Sequence, residues 1–260
     1  MIRVEKVDFI GIPVLDPPAA DAYYSETFKL FERNPRSTER WIEYEAPNVT
    51  LALVPNAYKG GAEHRPLPFG AYAVRVDDVD AERERLGAAG VEFLGDTFDS
   101  SVCNGAAMTG LDGNGMLLHR RYAPFADGRS PEGPAGRVDF VAVPVQDRGP
   151  VERFYSETLG LERNPNSTES WVEFETPNVT LALVRPEQIG RPFEPLPGGT
   201  IAFRVPDVEA AKTELEAAGV EFPAGVIDSG VCHIAPFSDP AGNGLMLHRR
   251  YAPFSDGTMP

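Results

Sequence analysis

The chain has 260 residues, 42% hydrophobic and 24% charged, which suits one or two domains with apolar cores. Its 39 acidic against 24 basic residues give a net charge of -15, which repels phosphate backbones and anionic lipid surfaces, so neither nucleic acid nor a membrane is expected as a partner. No apolar run reaches the roughly 18 residues that span a bilayer, and two cysteines make no disulfide framework, so a reduced, cytoplasmic setting is expected.

The opening MIRVEKVDFIGIPV has no apolar core behind a basic start, and Val7–Val14 reads as a strand that begins at once rather than as a leader. Asp16-Pro17-Pro18 is a helix start with an N-cap and proline in the first turn, and the helix is expected to run to about Phe28. Three short strands are predicted next, at 31–34, 41–45 and 49–54, the last two joined by Ala-Pro-Asn. The pattern then restarts. Ala71–Val76 reads as a strand, Asp77 and Asp78 open a helix, and Gly90 ends it. Strands near 91–93, 102–108 and 116–121 close a second module. One stretch of about 125 residues is therefore βαβββ, twice over.

The whole of that stretch is then repeated. ERNPRSTERWIEYEAPNVTLALV at 32–54 and ERNPNSTESWVEFETPNVTLALV at 162–184 agree at 18 of 23 positions. GNGMLLHRRYAPFADG at 113–128 returns as GNGLMLHRRYAPFSDG at 242–257. The second copy has its strand at 138–145, a helix from Asp147 to Gly160, a strand at 201–205 and a helix from Asp207 to Gly219. Gly- and Pro-rich residues between the copies read as a linker. The expected organisation is a first domain at 1–125, a linker at 126–136 and a second domain at 137–260.

Phe154-Tyr155 with Leu159-Gly160 at the end of the first helix, Asp239-Pro240-Ala241-Gly242-Asn243 before the last strand, and weaker forms at Tyr23-Tyr24 and Asp112-Gly113-Asn114 carry a family likeness. With the paired βαβββ modules they make the chain resemble, over nearly its whole length, the vicinal-oxygen-chelate superfamily of glyoxalase I, extradiol dioxygenases and bleomycin-resistance proteins. The resemblance implies an α+β fold: four βαβββ modules forming two tandem glyoxalase-like domains, each a curved mixed sheet around a cavity. Single-copy relatives often pair two chains to complete their sites. Fusion of the copies can do this within one chain, so a monomer is expected, with a homodimer as the alternative.

The resemblance also implies where metal ligands would stand. By strand spacing they fall on Phe9, Leu51, Ala71 and Leu117 in the first copy, and on Phe140, Leu181, Thr200 and Met246 in the second. None is a ligand for a divalent ion. The expectation is therefore no metal and no cofactor. A one-residue slip on the first strand would put Asp8 and Asp139 in the ligand place instead.

Of four histidines, His64 and His233 have no counterpart in the other copy and read as surface or loop residues. His119 and His248 do correspond, and side chains two apart on a strand share a face. So Leu117, His119 and Arg121 are expected together, as are Met246, His248 and Arg250. Each histidine reads as a structural rim residue, a ligand contact, an acid/base group, or the anchor of a metal site completed by Glu43 or Glu173. The Trp41-Ile42-Glu43-Tyr44-Glu45 strand and its twin from Trp171 put Trp and Glu on one face, where an aromatic wall with a carboxylate could hold a flat or cationic ligand. Arg121 and Arg250 are candidate anion contacts, against the alternative of surface ion pairs. Cys103 and Cys232 read as small buried hydrophobes, with a catalytic thiol as the alternative.

The candidate ligand-binding set is therefore Phe9, Trp41, Glu43, Leu51, Leu117, His119, Arg121, Phe140, Trp171, Glu173, Leu181, Met246, His248 and Arg250, with His119 and His248 as candidate catalytic groups. The function expected is metal-free binding of a small, largely apolar or aromatic molecule, in natural-product sequestration or resistance. The alternatives are a cofactor-free lyase, isomerase or cyclase using His119 and His248, and a glyoxalase- or dioxygenase-type metalloenzyme with relocated ligands.

Overall fold

The computed structural model describes residues 2–55, 63–125, 128, 130–254 and 256–260. The expected linker falls partly outside these, at 126, 127 and 129. Among the described residues no helix is long and apolar enough to cross a membrane.

Local sequence sets the helices. Asp16 caps α1 (Pro17–Ala22), accepting from the Ala19 amide at 3.2 Å, with prolines in the first turn. The helix expected to reach Phe28 as one α-helix instead widens after Ala22 into a π-helical turn over Tyr23–Phe28, closed by the Lys29 amide on the Tyr24 carbonyl. In this turn Tyr24 and Phe28 both point inward, with ring centroids 5.8 Å apart, and Phe28 meets Phe31 at 5.2 Å. α3 (Arg148–Arg153) widens likewise over Phe154–Thr158. α2 (Val79–Ala88) and α4 (Val208–Ala217) start on Asp78 and Asp207 and are followed by left-handed Gly90 and Gly219.

The fold is α+β with mixed sheets, and the chain divides into two compact units. One unit is Met1–Gly11, Val143–Asn164 and Trp171–Pro260; the other is Ile12–Ala142 with Pro165–Ser170. In the second of these, β5 (Tyr72–Arg75) runs parallel to β9 (Gly115–Arg121), which pairs antiparallel with β8 (Cys103–Thr109). The short β6 (Glu92–Phe93) and β7 (Phe98–Asp99) flank β8. On the other side of β5 lies β10 (Val138–Pro144), antiparallel, from Val138 opposite Val74 to Val141 opposite Tyr72. This unit also holds the ladder of β2 (Glu32–Arg33), β3 (Ile42–Glu45) and β4 (Thr50–Pro55).

The other unit repeats the plan. β14 (Ile201–Arg204) is parallel to β17 (Gly244–Arg250), which pairs with β16 (Cys232–Ser238) and through it with β15 (Ile227–Asp228). β1 (Lys6–Val14) lies on β14, from Lys6 opposite Arg204 to Ile10 opposite Ile201. A ladder of β11 (Glu162–Arg163), β12 (Val172–Glu175) and β13 (Thr180–Val184) completes it. The first strand of each sequence repeat is thus hydrogen-bonded to a strand of the other repeat: β1 to β14, and β10 to β5.

Two residues show what the Asp239–Asn243 segment and its weaker counterpart at Asp112–Asn114 are for. Buried Asn243 accepts from the Leu196 amide at 2.9 Å and donates to the Pro144 carbonyl at 2.9 Å and to Asp239 at 2.8 Å. Asn114 does the same with Leu67 and the Pro13 carbonyl. The neighbouring Gly244 has no alternative, because a Cβ there would sit 2.2 Å from the Pro197 carbonyl oxygen. The motif fastens a loop to the start of the last strand.

Candidate functional site

β9 presents Leu117, His119 and Arg121 on one face, as period-two geometry requires. Residues directly opposite on neighbouring strands share that face. Register therefore lays an apolar row of Ala107, Leu117, Ala73 and Phe140 across β8, β9, β5 and β10. The next row is Gly105, His119 and Arg75, and beyond it Cys103 stands opposite Arg121. The other unit matches it with Pro236, Met246, Ala202 and Phe9, then Ile234, His248 and Arg204, then Cys232 opposite Arg250.

A bulge completes each site. Pairing of β10 with β5 skips a residue between Val138 and Phe140, and pairing of β1 with β14 skips one between Val7 and Phe9. The skipped residues are Asp139 and Asp8. A bulge re-aims a side chain that alternation would send to the opposite face. As a result, two successive side chains reach one histidine. Asp139 Oδ2 lies 2.7 Å from His119 Nδ1, and the Phe140 ring meets the imidazole edge-on at 5.4 Å. Asp8 Oδ2 lies 2.6 Å from His248 Nδ1, with Phe9 edge-on at 5.3 Å. The second carboxylate oxygens take guanidinium groups, Arg75 Nε at 2.8 Å and Arg204 Nε at 2.7 Å.

The electrostatics follow from burial and these partners. Burial opposes charge on His119, but its bonds to Asp139 and Cys103 outweigh that and lift it to about 9. His248 is lifted to about 9 in the same way by Asp8 and Cys232. Both imidazoles are thereby biased toward the cation. Burial raises the Asp8 carboxyl, and His248, Arg204 and Lys6 more than reverse the effect, leaving it below the usual carboxylate range. Burial likewise raises the Cys103 and Cys232 thiols, and the bonds from His119 with Ser100, and from His248 with Ser229, bring both below the ordinary thiol value.

The expected members of the site on the short ladders divide between their two faces. Leu51 stands opposite Tyr44, which meets Tyr24 of the helical segment at 5.3 Å, so both face the helix. Glu43 stands opposite Ala52 on the reverse face, with Trp41 Nε1 donating to Glu43 Oε1 at 2.7 Å. Leu181 is opposite Phe174, which stacks on Tyr155 at 5.7 Å, while Trp171 bonds Glu173 at 2.6 Å on the reverse face. The two leucines therefore cannot share a wall with Trp41, Glu43, Trp171 or Glu173, because alternation separates them. Arg121 donates to the Ala123 and Pro124 carbonyls and caps Phe125, and Arg250 does so with Ala252, Pro253 and Phe254. These guanidinium donors pin the segment after the last strand. The structure thus sets these two candidate anion contacts against backbone carbonyls. His64 bonds the Asp112 carbonyl at 2.9 Å, and His233 packs on Tyr251 at 4.8 Å.

Asp8 and Asp139, which the sequence offered only as the outcome of a one-residue slip, and Arg75 and Arg204, which it did not single out, complete the two clusters, and each of the two aspartates bonds a histidine of the other repeat.

The family model described as Glyoxalase/Bleomycin resistance protein/Dioxygenase superfamily matches residues 6–115 and again 137–247. The chain belongs to this superfamily. Its two tandem glyoxalase-like domains share their fold with glyoxalase I from Zea mays, at 17% identity and a TM-score of 0.65, over 94% of this chain and 92% of that one. A putative dioxygenase from Bacillus subtilis aligns at 14% identity and a TM-score of 0.67, over 99% and 89%. An antibiotic binding protein from Streptomyces sp. CB03234 aligns at 25% identity and a TM-score of 0.39, over 46% of this chain and 99% of that one. No curated protein sequence matches the chain.

The superfamily includes metalloenzymes, so the donor set decides whether an ion fits here. Of the eight positions the resemblance implies, Leu51 and Leu181 face the helical segments and stand at no site, the other six are Phe, Leu, Ala, Thr or Met, and the one hydroxyl, Thr200 Oγ1, donates to the Pro197 carbonyl at 2.6 Å. Among the described residues no three His, Cys, Asp or Glu side chains gather to hold a metal ion. The residues present do not fit a divalent ion.

Proposed function

We propose that each unit binds a small, largely apolar or aromatic molecule without a metal, in the manner of a natural-product sequestering protein. The observation that carries this is the pair of apolar rows, Ala107, Leu117, Ala73 and Phe140, and Pro236, Met246, Ala202 and Phe9, each bordered by a His–Asp pair. An apolar floor with a few placed polar groups is the usual make-up of a small-molecule site. The superfamily's description names a bleomycin resistance protein beside the two enzyme classes, and the donor-poor rows favour the binding branch.

The test is calorimetric titration of the whole chain with a panel of aromatic natural products, bleomycin included, in the presence and absence of EDTA. Saturable binding unchanged by EDTA, weakened at one of two sites by Phe140→Ala and at the other by Phe9→Ala, is the expected result. Elemental analysis finding about one tightly held ion per repeat, with binding abolished by EDTA, overturns it.

A further inference from the structure

We propose that each unit also carries a nucleophilic thiol, Cys103 in one and Cys232 in the other, poised by the His–Asp pair beside it to capture an apolar, electrophilic alkene such as an α,β-unsaturated carbonyl compound. This goes beyond reversible binding and does not depend on it.

The first support is geometric. Cys103 sits two residues before Gly105, which is directly opposite His119, so thiol and imidazole are diagonal neighbours on one face of the β8–β9 ladder. The register thus sets the thiol beside that imidazole, whose Nδ1 is committed to Asp139. The order is thiol, imidazole, buried carboxylate, the arrangement in which a base activates a nucleophile and a third group orients the base. Ser100 Oγ lies 3.2 Å from Cys103 Sγ. Cys232, His248, Asp8 and Ser229 repeat the arrangement, with Ser229 Oγ 3.0 Å from the thiol.

The charged groups around it agree in sign. Arg121 faces Cys103, while Arg75 and, at 4.0 Å, Arg137 hold Asp139. Tyr122 stands nearby, its hydroxyl bonded to Asp99. In the other unit the corresponding groups are Arg250 facing Cys232, Arg204 and Lys6 on Asp8, and Tyr251 bonded to Asp228.

The second support is the surroundings. Both cysteines are only half-buried, so a reagent can reach them. Among the described residues one exposed large hydrophobic side chain shares the face of each thiol: Phe98, opposite Gly105, beside Cys103, and Ile227, opposite Ile234, beside Cys232. An exposed aromatic or aliphatic neighbour of this kind favours an uncharged, apolar reagent.

The step balances without a further reactant. The thiolate sulfur bonds to the β-carbon of the alkene, the C=C π pair moves to the α-carbon, and the imidazolium proton is delivered there. The product is a thioether and a neutral imidazole.

The experiment uses the intact chain and N-ethylmaleimide. Alkylation rates at Cys103 and Cys232 are read separately by peptide mass spectrometry between pH 5.5 and 9. An ordinary thiol of pKa about 8.5 loses about 300-fold in rate from its plateau to about pH 6. The native protein is expected to lose less than about 10-fold at either cysteine, and the urea-unfolded chain to show the ordinary slope. Asp139→Asn should steepen the Cys103 profile and leave Cys232 unchanged, so the second site controls for folding. N-phenylmaleimide should gain more over N-ethylmaleimide on native than on unfolded protein. Native profiles that overlay the unfolded ones overturn the activated thiol, and an equal reagent ratio overturns the apolar substrate class.

Discussion

Replacing Asp139 by Asn removes the carboxylate from His119 while keeping its size, and the consequences can be worked from the structure. His119 stands at about 9 against 6.5 for a free imidazole, with Asp139 first among the groups that raise it. Its folded value is above its unfolded one, so the contribution to stability is complete below about pH 6.5 and is lost as pH rises through about 9. At about 1.4 kcal/mol per pK unit this amounts to ~3 kcal/mol at pH 6 and ~2 kcal/mol at pH 7.5, and vanishes at higher pH. The Cys103 thiol works in the opposite sense, since its folded value is depressed and its contribution appears only as pH rises. The comparison is therefore made in a Cys103→Ser background, where ~3 kcal/mol is the ceiling because Cys103 supplies part of the lift. Urea unfolding of the parent and its Asp139→Asn variant at pH 6, 7.5 and 9.5 should show a gap that shrinks with pH. Loss of the Arg75 partner adds an offset common to all three. NMR of the imidazole protons in otherwise wild-type protein should show His119 titrating near or below 6.5 in Asp139→Asn while His248 stays near 9. A His119 that still titrates with His248, or a stability gap that does not change with pH, would refute the assignment of the imidazolium to this carboxylate.

Asn243→Ala should cost about 2–4 kcal/mol in urea unfolding, because three hydrogen bonds disappear and the Leu196 amide and Asp239 are left buried without it. Gly244→Ala should cost about 3 kcal/mol, since its Cβ would meet the fixed Pro197 carbonyl oxygen rather than a flexible side chain.

How far the sequence reveals this molecule depends on the range of each determinant. The helices begin where Asp16, Asp78, Asp147 and Asp207 say they do, because capping is decided within three residues. The widened turns after Ala22 and Arg153 are not legible, because they serve contacts such as Tyr24 with Phe31 that the local pattern does not encode. The pairing of His119 with Leu117 on one face follows from alternation alone. The separation of Leu51 from Trp41 needs the β3–β4 register, which Ala-Pro-Asn leaves open. The sequence names Asp8 and Asp139 only as a slip of alignment, and their pairing with the histidines is not legible for two reasons. A bulge cancels the alternation that would place them, and the strands bearing them belong to the other repeat.

That exchange has a consequence for the repeats themselves. Residues 1–125 contain β5, β8 and β9 with Cys103 and His119, but β10 and Asp139 lie beyond them. Expressed alone, this segment would expose the β5 edge and leave His119 without its carboxylate, an edge that invites pairing. It also carries β1, whose Asp8 and Phe9 stand to β14 as Asp139 and Phe140 stand to β5. The expected outcome is a twofold-symmetric homodimer in which β1 of each copy takes the place of β10 on the other, with Asp8 bonded to His119 across the interface. Sedimentation should give twice the monomer mass, and imidazole titration should keep His119 well above 6.5. Asp8→Asn in the same segment should lower that titration while the dimer persists. A folded monomeric segment with His119 still raised would mean that the imidazole draws its charge from within its own repeat, and that the exchanged strands are incidental to the site.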